Sequence, residues 1–254
     1  MRLIDISSPI DAAFWEPDPV IHKVMSAAEG ARHMASEMKA HFDLDFAPET
    51  LPGGEFLTND TLTLTSHTGT HVDAPAHYGT ASYGEARTID RMPLDWFYRP
   101  GLVLDVRDVG TGTIGADRLK TEFDRIGRLP DALDIVLLNT GAAERIGTPA
   151  YFTQFAGLDG PAVHYLLDLG VRVIGTDAFS LDAPFTHIID EYRRTGDRSV
   201  LWPAHFAGRD REYCQIERLS NLESLPSYGF QVSCFPVKIA GAGAGWARAV
   251  AMLD

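Results

Sequence analysis

The stretch from His67 to His77, HTGTHVDAPAH, constrains this chain more than any other. Gly69, β-branched Val72 and Pro75 each disfavour or block continuous helical turns, so the stretch is predicted to be extended. In an extended chain residues of one parity share a face, which points His67, Gly69, His71 and Asp73 the same way. Two imidazoles and a carboxylate on one side of a strand are ligands of the kind that hold zinc or a similar divalent ion. Pro75 then breaks the ladder, and His77 follows in a loop from which it can lean back over the same site. A lone histidine on a strand is most often a surface or satisfied core residue. Three histidines and an aspartate within eleven residues point instead to a metal or proton-transfer site. Three ligands rarely close such a site, so the others are expected elsewhere in the chain.

The remainder of the sequence sets the surroundings. A chain of 254 residues, 45% hydrophobic and 22% charged, is ample for a sizeable core and reads as one domain over 1–254. The net charge of −13 argues against non-specific nucleic-acid binding and against an anionic membrane surface. The opening MRLIDISSPI lacks a charged segment followed by an apolar one, and no run approaches the length of a spanning helix. Cys214 and Cys234 are too few for a disulfide framework and are expected as small core residues. A cytoplasmic protein is expected.

Taken in order, Leu3–Ile6 reads as a strand ended by Ser7, Ser8 and Pro9. Phe14 and Trp15 sit among prolines, so they belong to a loop that either anchors on the core or forms a flap over a pocket. Residues 21 to 42 carry a helical apolar stripe, and their histidines, His22, His33 and His41, are expected in solvent. Thr61, Thr63 and Thr65 share the parity of His67, His71 and Asp73, which predicts one strand, or two joined by a bulge at Gly69. GTGTIG, residues 110 to 115, has the spacing of a dinucleotide fingerprint between a strand and a helix. The acids Asp105 and Asp108 before it, and Asn139–Thr140 where a ribose-binding acid belongs, argue against that role. Gly160–Leu169 reads as a helix and Val171–Gly175 as a strand running into a polar loop, where Asp177 and Ser180 are candidate site residues. Val200–Trp202, Tyr213–Glu217, Gln231–Ile239 and Trp246–Leu253 read as strands. Strands and helices intermingle, so the fold class is α/β or α+β.

The signature HTGTHVDAPAH resembles the H-x-G-T-H-x-D-x-P-x-H motif of the metal-dependent cyclase family, which includes bacterial kynurenine formamidases and isatin hydrolases. Further segments are similar along most of the chain. They are Leu3–Ser7 with Pro9, Gly175-Thr176-Asp177 with Ser180 and Asp182, His205 with Ile216–Glu217 and Asn221–Leu222, and Phe235–Ile239. The resemblance implies an α/β fold of the swivelling β/β/α type. It implies that His67, His71 and Asp73 hold one divalent metal, Zn2+ or Mn2+. Asp73 then bridges to a second ion completed by His205 and Glu217, which makes the centre binuclear, and His77 is left as proton donor and acceptor. It further implies a homodimer or homotetramer acting on a small-molecule carbonyl substrate, with Trp15, Phe14, Asp177 and Ser180 near the substrate. The family's W-P-G-D flap reads Trp15-Glu16-Pro17-Asp18 here.

A long insertion after Val20 and the ending Ala240–Trp246 look more like the branch assigned to aromatic polyketide pathways. On that ground the expected reaction is ring closure by aldol condensation and dehydration, with a metal-polarised ketone and His77 moving the proton. The alternative is an amide hydrolase of the arylformamidase or isatin type, using metal-activated water. A non-enzymatic metal-binding protein, with closed coordination, is the third possibility.

Overall fold

The structure, a computed structural model, describes residues 1–253. Its strands in chain order are β1 (Arg2–Asp5), β2 (Ile21–Met25), β3 (Asn59–Thr63), β4 (His71–Asp73), β5 (Tyr98–Asp105), β6 (Gly112–Ile114), β7 (Ile135–Asn139), β8 (Ala156–Leu158), β9 (Val173–Thr176), β10 (Cys214–Glu217), β11 (Phe230–Ser233), β12 (Ala244–Trp246) and β13 (Val250–Leu253). Its helices are α1 (Ala27–Phe42), α2 (Ala116–Ile126), α3 (Gly160–Asp168), α4 (Phe185–Thr195) and α5 (Pro203–Asp210). Two compact units divide them. One comprises 1–10, 14–16 and 66–254, and the other 11–13 and 17–65.

The larger unit is α/β. Its nine-stranded sheet runs β1-β13-β11-β5-β7-β9-β10-β4-β12. The central pairings β5–β7, β7–β9 and β9–β10 are parallel, and the flanking ones are antiparallel. Parallel strands need crossovers, which is where the helices between β5 and β10 come from. The run IVLLN of β7 is buried at every position, as expected of a strand covered on both faces. Alternation sorts its side chains: Val136 and Leu138 join Leu102, Leu104 and Ile174 in a core shared with Leu119, Phe123, Val163 and Leu166 of α2 and α3. Ile135 and Leu137 face the other way, into a core with Val103, Val173, Ile216, Val72 and Ile6. Cys214 and Cys234 are buried and unpaired.

In the smaller unit β2 and β3 form an antiparallel ribbon with Ile21 opposite Thr63. The helix predicted from residue 21 therefore begins later. Ser26 accepts from the Glu29 backbone while the Glu29 carboxylate accepts from Ser26 N–H, a capping box that fixes the start at Ala27. Gly30 is needed there, because a Cβ would stand 2.2 Å from the Leu57 carbonyl oxygen.

Other sequence expectations are corrected for local reasons. The threonine run and the histidine run are not one strand: β3 pairs with β2, whereas β4 pairs with β10 and β12. Residues 110 to 115 hold the short strand β6 and Gly115, the residue preceding α2. Val200–Trp202 is not a strand. Trp202 turns into the left-handed region at φ 47°, and Pro203 opens α5, where its missing N–H costs nothing. Among the described residues no helix is long and apolar enough to cross a membrane.

One close approach sets the loop that follows β9. A Cβ on Gly157 in β8 would stand 2.0 Å from the Asp182 carbonyl carbon. Gly157→Ala is expected to destabilise the metal-free protein by about 1–3 kcal/mol through this overpacking. Chemical denaturation measures it, and unchanged stability would mean that the loop yields freely.

Candidate metal centre

The site is assembled where β4 lies beside β10. Glu217 is the Cα partner of His71, and Gln215 that of Asp73, so the two strands bring their polar side chains together. His71 and Asp73 share a face two residues apart. His67 comes from the segment before β4, where Gly69 takes φ +67°, a backbone setting suited to glycine. His205 arrives from the first turn of α5.

Asp73 is the hub. Its carboxylate is fully buried, and neither oxygen receives a hydrogen bond of good geometry. Oδ1 stands 2.9 Å from His67 Nδ1 and 3.4 Å from His71 Nε2, and those two nitrogens are 3.2 Å apart. Oδ2 faces the other way, 4.0 Å from both His77 Nε2 and His205 Nε2. Glu217 closes the gap, with Oε2 3.6 Å from His71 Nε2 and Oε1 3.9 Å from His205 Nε2. Ligands about 2.1 Å from one cation at angles of about 90–110° are separated by roughly 3.0–3.4 Å. The triangle of His67, His71 and Asp73 Oδ1 fits that spacing. His205 Nε2 is spaced more loosely, 4.0 Å from Asp73 Oδ2 and 3.9 Å from Glu217 Oε1. An aspartate buried without hydrogen bonds, among imidazoles whose nitrogens converge on it, suits a cation and little else.

The protonation pattern follows from this packing. Burial alone would raise Asp73, but the imidazoles of His71 and His67 outweigh it and hold the carboxyl well below its usual range. Glu217 is pushed up by burial and by the Asp73 charge. His205 is raised from the usual 6.5 to about 9, because the Asp182 carboxylate outweighs the cost of burial. His77, with 34% of its side chain exposed, is pushed down to about 4 by desolvation against the pull of Asp73, with help from the neighbouring imidazoles.

Supporting contacts hold the ligands in one orientation. His71 Nδ1 lies 2.9 Å from the Gly69 carbonyl, which fixes the tautomer with Nε2 free. Asp182 caps α5 by accepting from Ala204 N–H at 2.6 Å and His205 N–H at 3.2 Å, and it also holds His205 Nδ1. The Leu181 N–H donates to Glu217 Oε1 at 2.8 Å. Arg218, only 4% exposed, donates to the His67 carbonyl at 3.1 Å and pairs with Glu16. Its guanidinium also lies 5.4–5.7 Å from the ring centres of Tyr151, Phe152 and Phe179.

A cavity of about 410 Å³ opens over the centre. His67, His71, His77, His205 and Glu217 form one side, and Phe179, Phe185, Trp202 and Phe206 supply aromatic walls. Ser180, predicted near substrate, lines this cavity. Asp177 does not: its carboxylate accepts from the Thr140 N–H and hydroxyl and from Ala143 N–H. Phe14 packs over Gly147, and Trp15 stands behind the wall through edge contacts with Phe152 at 4.9 Å, which in turn meets Phe179 at 4.6 Å. Sequence reading assigned no role to Arg218 or Glu16. A charged pair split across 202 positions leaves no local pattern, although the departure Trp15-Glu16-Pro17-Asp18 marked one half of it.

The Cyclase family profile matches residues 4–183. The chain belongs to that family. It is 31% identical over 190 residues to a kynurenine formamidase of Salinibacter ruber, covering 74% of this chain and 77% of that one. An isatin hydrolase bound to the product analogue thioisatinate shares the fold, with a TM-score of 0.77 at 21% identity, covering 99% of this chain and 92% of the other. A potential metal-dependent hydrolase with cyclase activity also matches in fold, with a TM-score of 0.65 at 19% identity over 100% and 98% of the two chains.

Two outcomes follow. A cation held by His205 Nε2 would have to displace its proton, so metal affinity is expected to rise with pH up to about 9 and then level off. Asp182→Asn, which removes the cause of the raised value, should flatten that rise and weaken metal binding about 10–100-fold, read by competition with a chelator. Glu16→Gln leaves the Arg218 charge buried and unpaired and is expected to cost about 3–5 kcal/mol. Adding Arg218→Met should recover part of that loss, as a double-mutant cycle in denaturant measures.

Proposed function

We propose that the protein is a metal-dependent hydrolase that cleaves the carbon–nitrogen bond of an amide on a small aromatic substrate. The observation that carries this reading is the joining of two chemistries in one cavity. Convergent imidazole and carboxylate groups line the same cavity as the rings of Phe179, Phe185, Trp202 and Phe206, and His77 lines it from outside the tightest triangle of His67, His71 and Asp73. The names of the relatives agree, since kynurenine formamidase and isatin hydrolase both denote amide hydrolysis on an aromatic framework. Size supports it as well. About 410 Å³ lies near the lower end of the range for small-molecule sites, which suits one substituted ring better than the long ketide that ring closure requires. The sequence alone favoured ring closure, and these two observations reverse the order.

His67, His71 and Asp73 would hold one ion, and Asp73, His205 and Glu217 a second. Imidazole and carboxylate donors suit zinc or manganese. When bound, the ion supplies Lewis-acid polarisation of a carbonyl and a water acidic enough to ionise near neutral pH. The chain does the rest. Phe179, Phe185 and Trp202 orient the planar substrate and exclude bulk water. Asp182 keeps His205 Nε2 directed at the centre. His77, neutral at pH 7, accepts a proton at Nε2 and returns it to the leaving nitrogen. Ring closure remains the second reading, because the same ligands and the same proton carrier serve an enolate.

His77→Ala should retain its metal by elemental analysis yet lose about 10²–10⁴ in kcat on an aryl formamide. Parallel loss of metal recasts His77 as a ligand. The function is tested by supplying metal-loaded protein with N-formylkynurenine, isatin and a linear poly-β-ketone. Turnover of the ketone alone overturns the hydrolase reading.

A further inference from the structure

Among the described residues, Arg209 is the only lysine or arginine lining the cavity over the candidate metal centre. It lies four residues after His205 on α5, so the two side chains leave the helix on one face, a turn apart. Two contacts fix its head group without neutralising it. Nε donates to the Tyr78 carbonyl, and the guanidinium carbon lies 3.7 Å from the ring centre of Phe206. Beside them Gly79, at φ +95°, leaves room for the head group, since a Cβ there would come within 3.1 Å of Nη2. None of these partners carries a negative charge.

The chain has 35 acidic residues against 22 basic ones. Even so, among the described residues no carboxylate lies within ion-pair distance of Arg209, although most other arginines of the larger unit have one. Surface arginines in such an acidic protein find partners readily. One that is held by a carbonyl and an aromatic face, with its Nη groups left over beside a catalytic cavity, is set up for an anion from outside. A planar guanidinium with two outward N–H edges matches a carboxylate in bidentate fashion.

We infer that Arg209 binds a carboxylate carried by the substrate, on the part of the molecule away from the bond that is cleaved. This rests on the amide-hydrolase reading and narrows it. The preferred substrate is an aromatic amide bearing a separate anionic group, and neutral amides such as a bare formanilide are the poorer substrates. The metal ligands act on the amide while Arg209 fixes the far end, so the contact contributes mainly to binding, and its loss is read in KM before kcat.

The experiment compares matched pairs on metal-loaded protein: 3- and 4-formamidobenzoate against the corresponding neutral formamidobenzamides. The wild type should prefer the acid of at least one pair by about 10–100-fold in kcat/KM, mostly through KM, and the preference should shrink as salt is raised. Arg209→Met should bring the ratio close to one. Arg209→Lys, which keeps the charge but loses the fork, should retain an intermediate preference. A wild-type ratio near one, or a preference that survives in Arg209→Met, overturns the assignment. If Arg209→Met fails to fold, Arg209→Gln replaces it. If no formamide is turned over, the hydrolase reading fails, and Arg209 is tested separately by calorimetry with terephthalate and its monoamide, terephthalamate. Tighter binding of the dianion in the wild type, absent in the neutral variant, supports the carboxylate site, and equal binding overturns it.

Discussion

A carboxylate buried with no hydrogen bond to either oxygen is among the most costly groups a protein can carry, and Asp73 is one. Its neighbours make sense as responses to it. Imidazoles approach Oδ1 from His67 and His71, and others approach Oδ2 from His77 and His205. Two oxygens serving two separate clusters is the arrangement that lets one aspartate join a pair of cations, since a shared anion limits the repulsion between them. Without a cation the cluster relies on protonated histidines to offset the charge, which is why His71 and His205 are raised, while desolvation, helped by the neighbouring imidazoles, lowers His77.

The surrounding fold keeps this costly group in place. Strands β7 and β9 are apolar on both faces up to Asn139 and Thr176 at their ends, so the sheet is stabilised by two cores, while β10 carries the buried Gln215 and Glu217 opposite β4. Asp182 links the loop after β9 to α5 by capping the helix and gripping His205 with one carboxylate. Arg218 does a similar job on the other side, binding the His67 carbonyl while its charge is balanced by Glu16. His205 and His67 are thus each restrained by a residue that does not itself line the cavity, as a metal site needs if its geometry is to persist when substrate exchanges.

The aromatic run from Trp15 through Phe152, Phe179 and Phe185 to Trp202 ties the cavity wall to the core by edge contacts of 4.6–6.2 Å. Such contacts give a stiff, flat surface. Under the proposed amide-hydrolase reading, the cavity would take a planar ring against the aromatics, a carbonyl toward the histidines and carboxylates, and an anion toward Arg209. Trp15 stands at the far end of this run, in contact with Phe152, and does not line the cavity.

The sequence by itself determined the strongest local facts. HTGTHVDAPAH reads as extended from His67, but only His71–Asp73 is strand: residues 66–70 turn, with Gly69 at φ +67°, so alternation accounts for His71 and Asp73 alone, and Pro75 ends the strand before His77. Helices α2 and α3 and strands β7 and β10 were likewise legible from periodicity, since burial on one stripe or on both faces writes itself into the local pattern. Residues 21–25 and 200–202 were misread because pairing with β3 and the left-handed turn at Trp202 depend on partners far along the chain. His205 and Glu217 could be named only by family resemblance, and Asp182's grip on His205, the Glu16–Arg218 pair and the unpaired state of Arg209 had no sequence signal strong enough to find them. Contacts of that kind join residues tens to hundreds of positions apart, and only the folded sheet, with β4 beside β10 and α5 capped by the loop after β9, brings them together.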